Sequence, residues 1–357
     1  MAAPADSESQ LNVDREGEGG GASVDDQTGK SGGQPVVILG VSRSGTTLLK
    51  EMLNGHSALA IPSESYFIPQ LWARHGEHPD CEAFLADLGR LARIKEWGLT
   101  PELIGRQMPA EPEFAEAVQA IYLAHAQLHG KSRFGDKTPA YMQCLSLLER
   151  AFPDARYVHL IRDGRDAGLS FVAMRRRPRF NWARPRGLGA FAAQWRREVA
   201  TAQAFGRGPA EGRYLAIRYD DLVAEPEATL GTICSFLGLE FESRMLEYHR
   251  RFSTGQPVDH ASLSRPPDAN VRRWREQMSE RDQRHFEAIA GELLEALGYE
   301  RRYPTPGFGA RIRARFERAA LAVRIASFDA ALTVARKGPI WRLRQVYMRR
   351  THVEGTP

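Results

Sequence analysis

A continuous apolar run, Pro35-Val36-Val37-Ile38-Leu39-Gly40, breaks out of a polar N-terminal stretch, and Thr46–Gly55 then repeats apolar residues at helical spacing. An apolar stretch of strand length that ends in Gly predicts a strand buried on both faces of a parallel sheet, with a loop and helix after it. The same grammar recurs twice. Tyr157-Val158-His159-Leu160-Ile161-Arg162 reads as a second strand ahead of a helix starting near Ala167. Tyr214–Tyr219 reads as a third, ahead of a helix with Pro226 near its permitted N-terminal position. Residues 66–130 carry helical patterns divided by Pro and Gly, with no clear strand, and read as a helical insertion. Strands alternating with helices predict an α/β domain on a central parallel sheet.

Composition adds little until it is divided along the chain. The 357 residues carry 49 Lys and Arg against 44 Asp and Glu, a formal +5. Residues 1–34 hold seven acids and two bases, and their Gly, Ser, Asp and Glu content predicts a disordered acidic tail. Residues 307–350 hold eleven bases and two acids, so the body between is close to neutral. A nonspecific nucleic-acid binder coated evenly in positive charge is thereby excluded, and no nucleic-acid partner is expected. Cys81, Cys144 and Cys234 are far apart and odd in number, which predicts neither a disulfide framework nor a zinc site. With no secretory leader pattern and no uninterrupted apolar span, the sequence predicts a cytoplasmic protein.

The first strand-to-helix junction reads Gly40-Val41-Ser42-Arg43-Ser44-Gly45-Thr46-Thr47. A Gly-spaced loop in this context aims backbone N–H groups and the positive end of a helix at one point, where a phosphate can sit. A nucleoside-triphosphatase loop would carry Lys after the second Gly; here that residue is Thr46, and the cation lies inside the loop as Arg43. That disfavours ordinary Mg²⁺-dependent phosphoryl transfer and suits transfer of a less charged group. A second anion site is predicted where the second strand ends at Arg162, with Ser170 eight residues on in the following helix.

These ordered motifs resemble the sulfotransferases that use 3′-phosphoadenylyl sulfate (PAPS). Gly40–Thr47 is similar to that family's loop for the 5′-phosphosulfate, with Ser42, Arg43, Ser44, Gly45, Thr46 and Thr47 as cofactor-binding candidates. Arg162 and Ser170 match its 3′-phosphate motif, Arg218-Tyr219-Asp220-Asp221 resembles the segment whose Tyr219 approaches adenine, and Val271-Arg272-Arg273-Trp274 resembles, loosely, the late basic segment over the 3′-phosphate. The Arg-Ser-Gly-Thr-Thr loop is nearer to the tyrosylprotein and bacterial branch. The resemblance implies a three-layer P-loop-like fold with a sulfotransferase domain at 35–306; the basic helical extension at 307–357 matches none of the family's motifs and departs from it. The resemblance also implies PAPS as cosubstrate with no metal. A P-loop kinase or NTPase and a noncatalytic nucleotide-binding protein are the competing readings.

Sulfuryl transfer needs a base for the acceptor proton and cations for developing charge. The resemblance makes Glu64, 21 residues after Arg43, the base, and makes Lys137, in Gly135-Asp136-Lys137-Thr138-Pro139, the electrostatic stabiliser together with Arg43. His56, His75 and His159 are rival bases, His159 reading as a core residue. The acceptor stays open among small-molecule, glycan, lipid and peptide groups, its selection assigned to 66–130 and to the 175–190 loop with Arg175, Arg176, Arg177 and Arg179. In the extension, Ile312, Phe316, Leu321 and Ile325 amid arginines predict an amphipathic helix, with a second segment starting at Pro339; packing on the domain, binding of the chain's own acidic N-terminus, reception of an acidic acceptor and peripheral contact with an anionic membrane all remain open.

Overall fold

The computed structural model describes residues 33–175, 185, 187–251, 263 and 273–337. The acidic stretch before residue 33, Arg176–Arg179, Val271 and Arg272, and the segment after Pro339 lie outside these residues.

Five parallel strands form the sheet: β1 (Val36–Leu39), β2 (Leu59–Ala60), β3 (Arg133–Asp136), β4 (Arg156–Ile161) and β5 (Tyr214–Arg218), in the order β2-β3-β1-β4-β5. Val37 pairs with Asp136 on one side and Tyr157 on the other; His159 pairs with Ala216. Three of the strands stand where the apolar runs predict them. β2 and β3 were not expected: β2 is two residues long, and β3 reads Arg-Phe-Gly-Asp, with no apolar run to betray it. All four β3 residues are nonetheless buried, because the strand lies between β1 and β2.

Alternation along β1 divides the core. Val37 and Leu39 join Phe134, Tyr157 and Ile161 on one face; Val36 and Ile38 join Leu59, Val158 and Leu160 on the other. The second face is covered by α1 (Thr46–Leu53), through Leu49 and Met52, and later by α10 (Tyr219–Ala224) and α11 (Pro226–Leu237), through Leu222, Leu230 and Ile233. The first face carries the predicted helical insertion, α2 (Ile68–His75), α3 (Cys81–Leu88), α4 (Ala92–Glu96), α5 (Pro101–Gly105) and α6 (Phe114–Leu128), followed by α7 (Leu145–Ala151). It continues with α8 (Gly164–Arg175) and α9 (Leu188–Gly206). This is the α/β domain on a parallel sheet that the alternation of elements predicts, in the three-layer form that the resemblance implies.

The C-terminal elements are α12 (Trp274–Gln277), α13 (Glu280–Ala296) and α14 (Phe308–Lys337). They are tied to the sheet through one fully buried cation. Arg165, at the start of α8, pairs with Asp163 Oδ2 and Glu287 Oε1, each at 2.7 Å, and its guanidinium lies 3.5 Å from the centroid of Trp274. Asp166 Oδ1 accepts from the Trp274 backbone N–H at 2.9 Å, and Glu287 also accepts the backbone N–H groups of Arg302 and Tyr303. The amphipathic expectation for α14 is corrected in one respect: its four apolar positions do not share a face. Leu321, with Ala314, is buried against the core and Ile325 packs beside them, whereas Ile312 and Phe316 point outward. A period of 3.6 separates 312 and 316 from 321 by half a turn.

Breaking a buried pair leaves its partners uncompensated. Arg165→Ala is therefore expected to cost about 3–5 kcal/mol in urea unfolding, with loss of α13 and α14 docking seen as increased proteolysis at their termini. A surface control, Arg284→Ala, is expected to leave the urea midpoint close to that of the wild type.

Candidate active site

In an all-parallel sheet every strand delivers its C-terminal end to the same edge. Here each end delivers one predicted residue: the Gly40–Gly45 loop follows β1, Lys137 follows β3, Arg162 follows β4, Tyr219 follows β5, and Glu64 lies four residues past β2.

The loop after β1 turns through two left-handed residues, Arg43 at φ 74° and Gly45 at φ 90°. Gly45 is required twice over, since a Cβ there would lie 2.5 Å from the Tyr219 ring. Gly40 is equally constrained: a Cβ would meet Thr46 Cγ2 at 2.5 Å and the Leu160 carbonyl oxygen at 2.9 Å. Helix α1 starts without a side-chain cap and without an acidic residue in its first turn, which leaves its N-terminal N–H groups directed at the strand-end edge. Ser44 Oγ is buried with no hydrogen-bond partner. These are the features of a cradle for an anion.

The second predicted anion site joins the first directly. Arg43 Nε donates to Ser170 Oγ at 3.0 Å, and Arg162 Nη1 donates to the Arg43 carbonyl at 3.2 Å. The Arg162 guanidinium stacks 4.5 Å from the centroid of Tyr219, while its buried Nε has no acceptor. Tyr219 opens α10 instead of ending the strand, so its ring lies across Gly45 and Arg162. Arg273 is exposed immediately before α12, which Trp274 seats on Arg165, three residues beyond Arg162.

Lys137 is 3% exposed, not a surface lysine. Its Nζ donates to Glu64 Oε1 at 2.6 Å and to Thr47 Oγ1 at 3.2 Å, so one ammonium bridges the candidate base and the first turn of α1. Glu64 is partly exposed, as a base that meets an incoming acceptor must be. The rival histidines are accounted for elsewhere. His159 is fully buried, pairs through Nδ1 with the Tyr214 hydroxyl, and is pushed down to about 3 by burial. His56 Nε2 reaches the Glu240 carbonyl at 3.0 Å, and His75 Nε2 contacts Asp87 Oδ2 at 3.0 Å.

Sequence reading missed the supports of this centre. Tyr66 donates its hydroxyl to Glu64 Oε2 while its own backbone sits at φ 60°, a conformation that bulky residues rarely adopt. Beneath it, Asp136 Oδ2 accepts from Ser65 Oγ and Tyr122 at 2.8 Å and from Thr138 Oγ1 at 3.1 Å. Ser65 and Thr138 flank Glu64 and Lys137 in sequence, so this knot fixes the base and the cation relative to each other. Only its position beside Lys137 would have marked Asp136. Burial pushes Asp136 up to about 6, against the opposing pull of those three hydroxyls and of Lys137.

Residues 35–243 match the profile of the Sulfotransferase family, well over half of the chain, and the chain belongs to that family. It is an enzyme of the sulfotransferase class, which transfers a sulfuryl group to an acceptor. Among curated proteins it is similar to protein-tyrosine sulfotransferase 1 of Danio rerio, 25% identical over 291 residues that cover 77% of this chain and 74% of that one. The Homo sapiens protein of the same name is 23% identical over 290 residues, 77% and 72% respectively. The fold is shared with the sulfotransferase domain of the Synechococcus PCC 7002 olefin synthase, at TM-score 0.51 and 24% identity over 76% of this chain and 97% of that domain.

A proton bound more tightly in the folded than in the unfolded state stabilises the fold below the unfolded value and is lost as pH rises. With Asp136 raised from 3.8 to about 6, stability is expected to decline between those values as pH rises. Asp136→Asn is expected to flatten that stretch of the pH–stability curve measured by chemical denaturation; an unchanged slope would assign it to another group.

Proposed function

We propose that this enzyme sulfates tyrosine hydroxyls of peptide or protein acceptors, with Glu64 as general base. The observation that carries the catalytic assignment is the Glu64–Lys137–Thr47 chain, which sets a carboxylate beside the anion cradle of α1. The names of the curated relatives support the tyrosine acceptor.

In this reading the donor is PAPS, which when bound supplies the sulfuryl group. The uncapped start of α1, the backbone of Ser42–Thr47 and the unpartnered Ser44 hydroxyl suit its 5′-phosphosulfate. Arg162, with an unused buried Nε, and Ser170 suit the 3′-phosphate, and the Tyr219 ring offers a face to the adenine. Arg273, exposed just before Trp274, is the described residue of the late basic segment that this reading adds to the same anion site. Glu64 takes the proton of the acceptor hydroxyl while its oxygen attacks sulfur and the bond from sulfur to the phosphate oxygen breaks. Lys137 and Arg43 offset charge on the leaving phosphate and the transferring group, which asks for no metal ion. Tyr66 holds the second Glu64 oxygen and so fixes the carboxylate plane. Three free cysteines fit a reducing, cytoplasmic setting.

Removing a general base typically costs about 10²–10⁴ in rate. Glu64→Gln is expected to lower kcat on a tyrosine peptide by that order with donor affinity nearly unchanged, read by mass spectrometry of the sulfated peptide. A peptide with Phe in place of Tyr is expected to gain no sulfate. Tyr66→Phe is expected to lower kcat by roughly tenfold, about the worth of one hydrogen bond to a charged group. Wild-type activity that proceeds unchanged in Glu64→Gln would overturn the assignment of the base.

A further inference from the structure

Helix α14 has two apolar faces, and the fold uses only one. Ala314 and Leu321 are buried against α9 and α13. On the opposite side Phe308, Ile312 and Phe316 follow at intervals of four and are 80%, 45% and 74% exposed. Large apolar side chains at helical spacing, exposed in a row, mark an interaction surface.

Between the two faces runs a basic edge. Arg311, Arg315 and Arg318 project along one flank of α14 and, with Arg301 from the preceding loop, line an open groove of roughly 460 Å³ against α13. Arg311 is held by the Pro306 carbonyl and Arg301 lies 3.4 Å from Glu295. Arg315 and Arg318 have no carboxylate partner among the described residues, and the groove's acids are Glu287, already committed to Arg165, and Glu292. The sequence continues basic beyond this point, with Arg336, Lys337, Arg342, Arg344, Arg349 and Arg350.

An apolar ridge flanked by arginines on a helix that lies along the protein surface is what an interfacial helix needs: aromatic side chains to enter the acyl boundary and cations level with the phosphates. We infer that α14 docks this enzyme onto an anionic phospholipid surface, with lipid headgroup phosphates in the Arg301–Arg311–Arg315–Arg318 groove and Phe308, Ile312 and Phe316 inserted beside them. A second copy of the chain fits poorly, since pairing the ridges would bring two arginine edges together. An acidic peptide would use the arginines and leave the phenylalanines in water.

The test is co-sedimentation of the full chain with sucrose-loaded vesicles of phosphatidylcholine containing about one-third phosphatidylserine, against pure phosphatidylcholine. The enzyme is expected to bind the anionic vesicles about tenfold or more tightly than the neutral ones. Arg315→Glu with Arg318→Glu is expected to remove most of that preference. Phe308→Ser with Phe316→Ser, which disturbs no packing, is expected to weaken binding by about tenfold, with sulfuryl transfer to a soluble acceptor unchanged. An enzyme that stays in the supernatant with anionic vesicles overturns the inference. So does a phenylalanine variant that binds as tightly as wild type, which would leave a purely electrostatic surface suited to an acidic peptide.

Discussion

Parallel pairing is the constraint on which the site depends. Because all five strands run the same way, their C-terminal ends share one edge, and the chain needs only one to four residues past a strand to bring Lys137, Arg43, Arg162 and Tyr219 together. These residues are separated by up to 176 positions in sequence, yet none needs a long loop to reach the centre. The β1–β4 register matters most, since it sets the phosphate loop beside Arg162 and lets Arg43 reach Ser170 on the helix after β4. The sheet is therefore the positioning device, and the loops carry the chemistry.

Within that frame, charge is handled by burial and pairing. Lys137 is almost fully removed from water, which is tolerable because Glu64 and Thr47 accept from it. The same ion pair has a functional reading: a lysine shared between the base and the anion cradle can follow negative charge when the donor arrives. Glu64 would then keep Tyr66 as its partner. Beneath the pair, Asp136 gathers three hydroxyls on one oxygen, joining the segments on either side of the centre without exposing a carboxylate to it. Arg165 does the corresponding work on the other flank, where Asp163, Glu287 and Trp274 bind the C-terminal helices to the start of α8.

How much of this was legible follows from what sequence patterns encode. Strands buried on both faces, β1 and β4, announce themselves as apolar runs; β5, only half-buried, was found from Tyr214-Leu215-Ala216-Ile217. β3 escaped because Arg133-Phe134-Gly135-Asp136 has two charges whose burial depends on distant partners: Arg133 on the Leu237 carbonyl, Asp136 on Ser65 and Tyr122 in addition to the nearby Thr138. Glu64, Lys137, Arg162 and Ser170 were reached through motif spacing, which local order preserves. Tyr66 and Asp136 have no such spacing, and their roles appear only when the fold brings β2 and β3 side by side. The apolar positions of α14 were visible, but their division between two faces was not, since that depends on which side the core selects.

The central claim is that the two anion sites form one pocket for a nucleotide with phosphates at both ends, Arg162 holding the 3′ group. Calorimetry with adenosine 3′,5′-bisphosphate in the presence of a chelator tests it most directly. The account predicts binding without Mg²⁺, a loss of about ten- to a hundredfold in Arg162→Ala from removal of charge-assisted hydrogen bonds, and weaker binding of ATP. Failure of the bisphosphate to bind, or equal binding by wild type and Arg162→Ala, would contradict it.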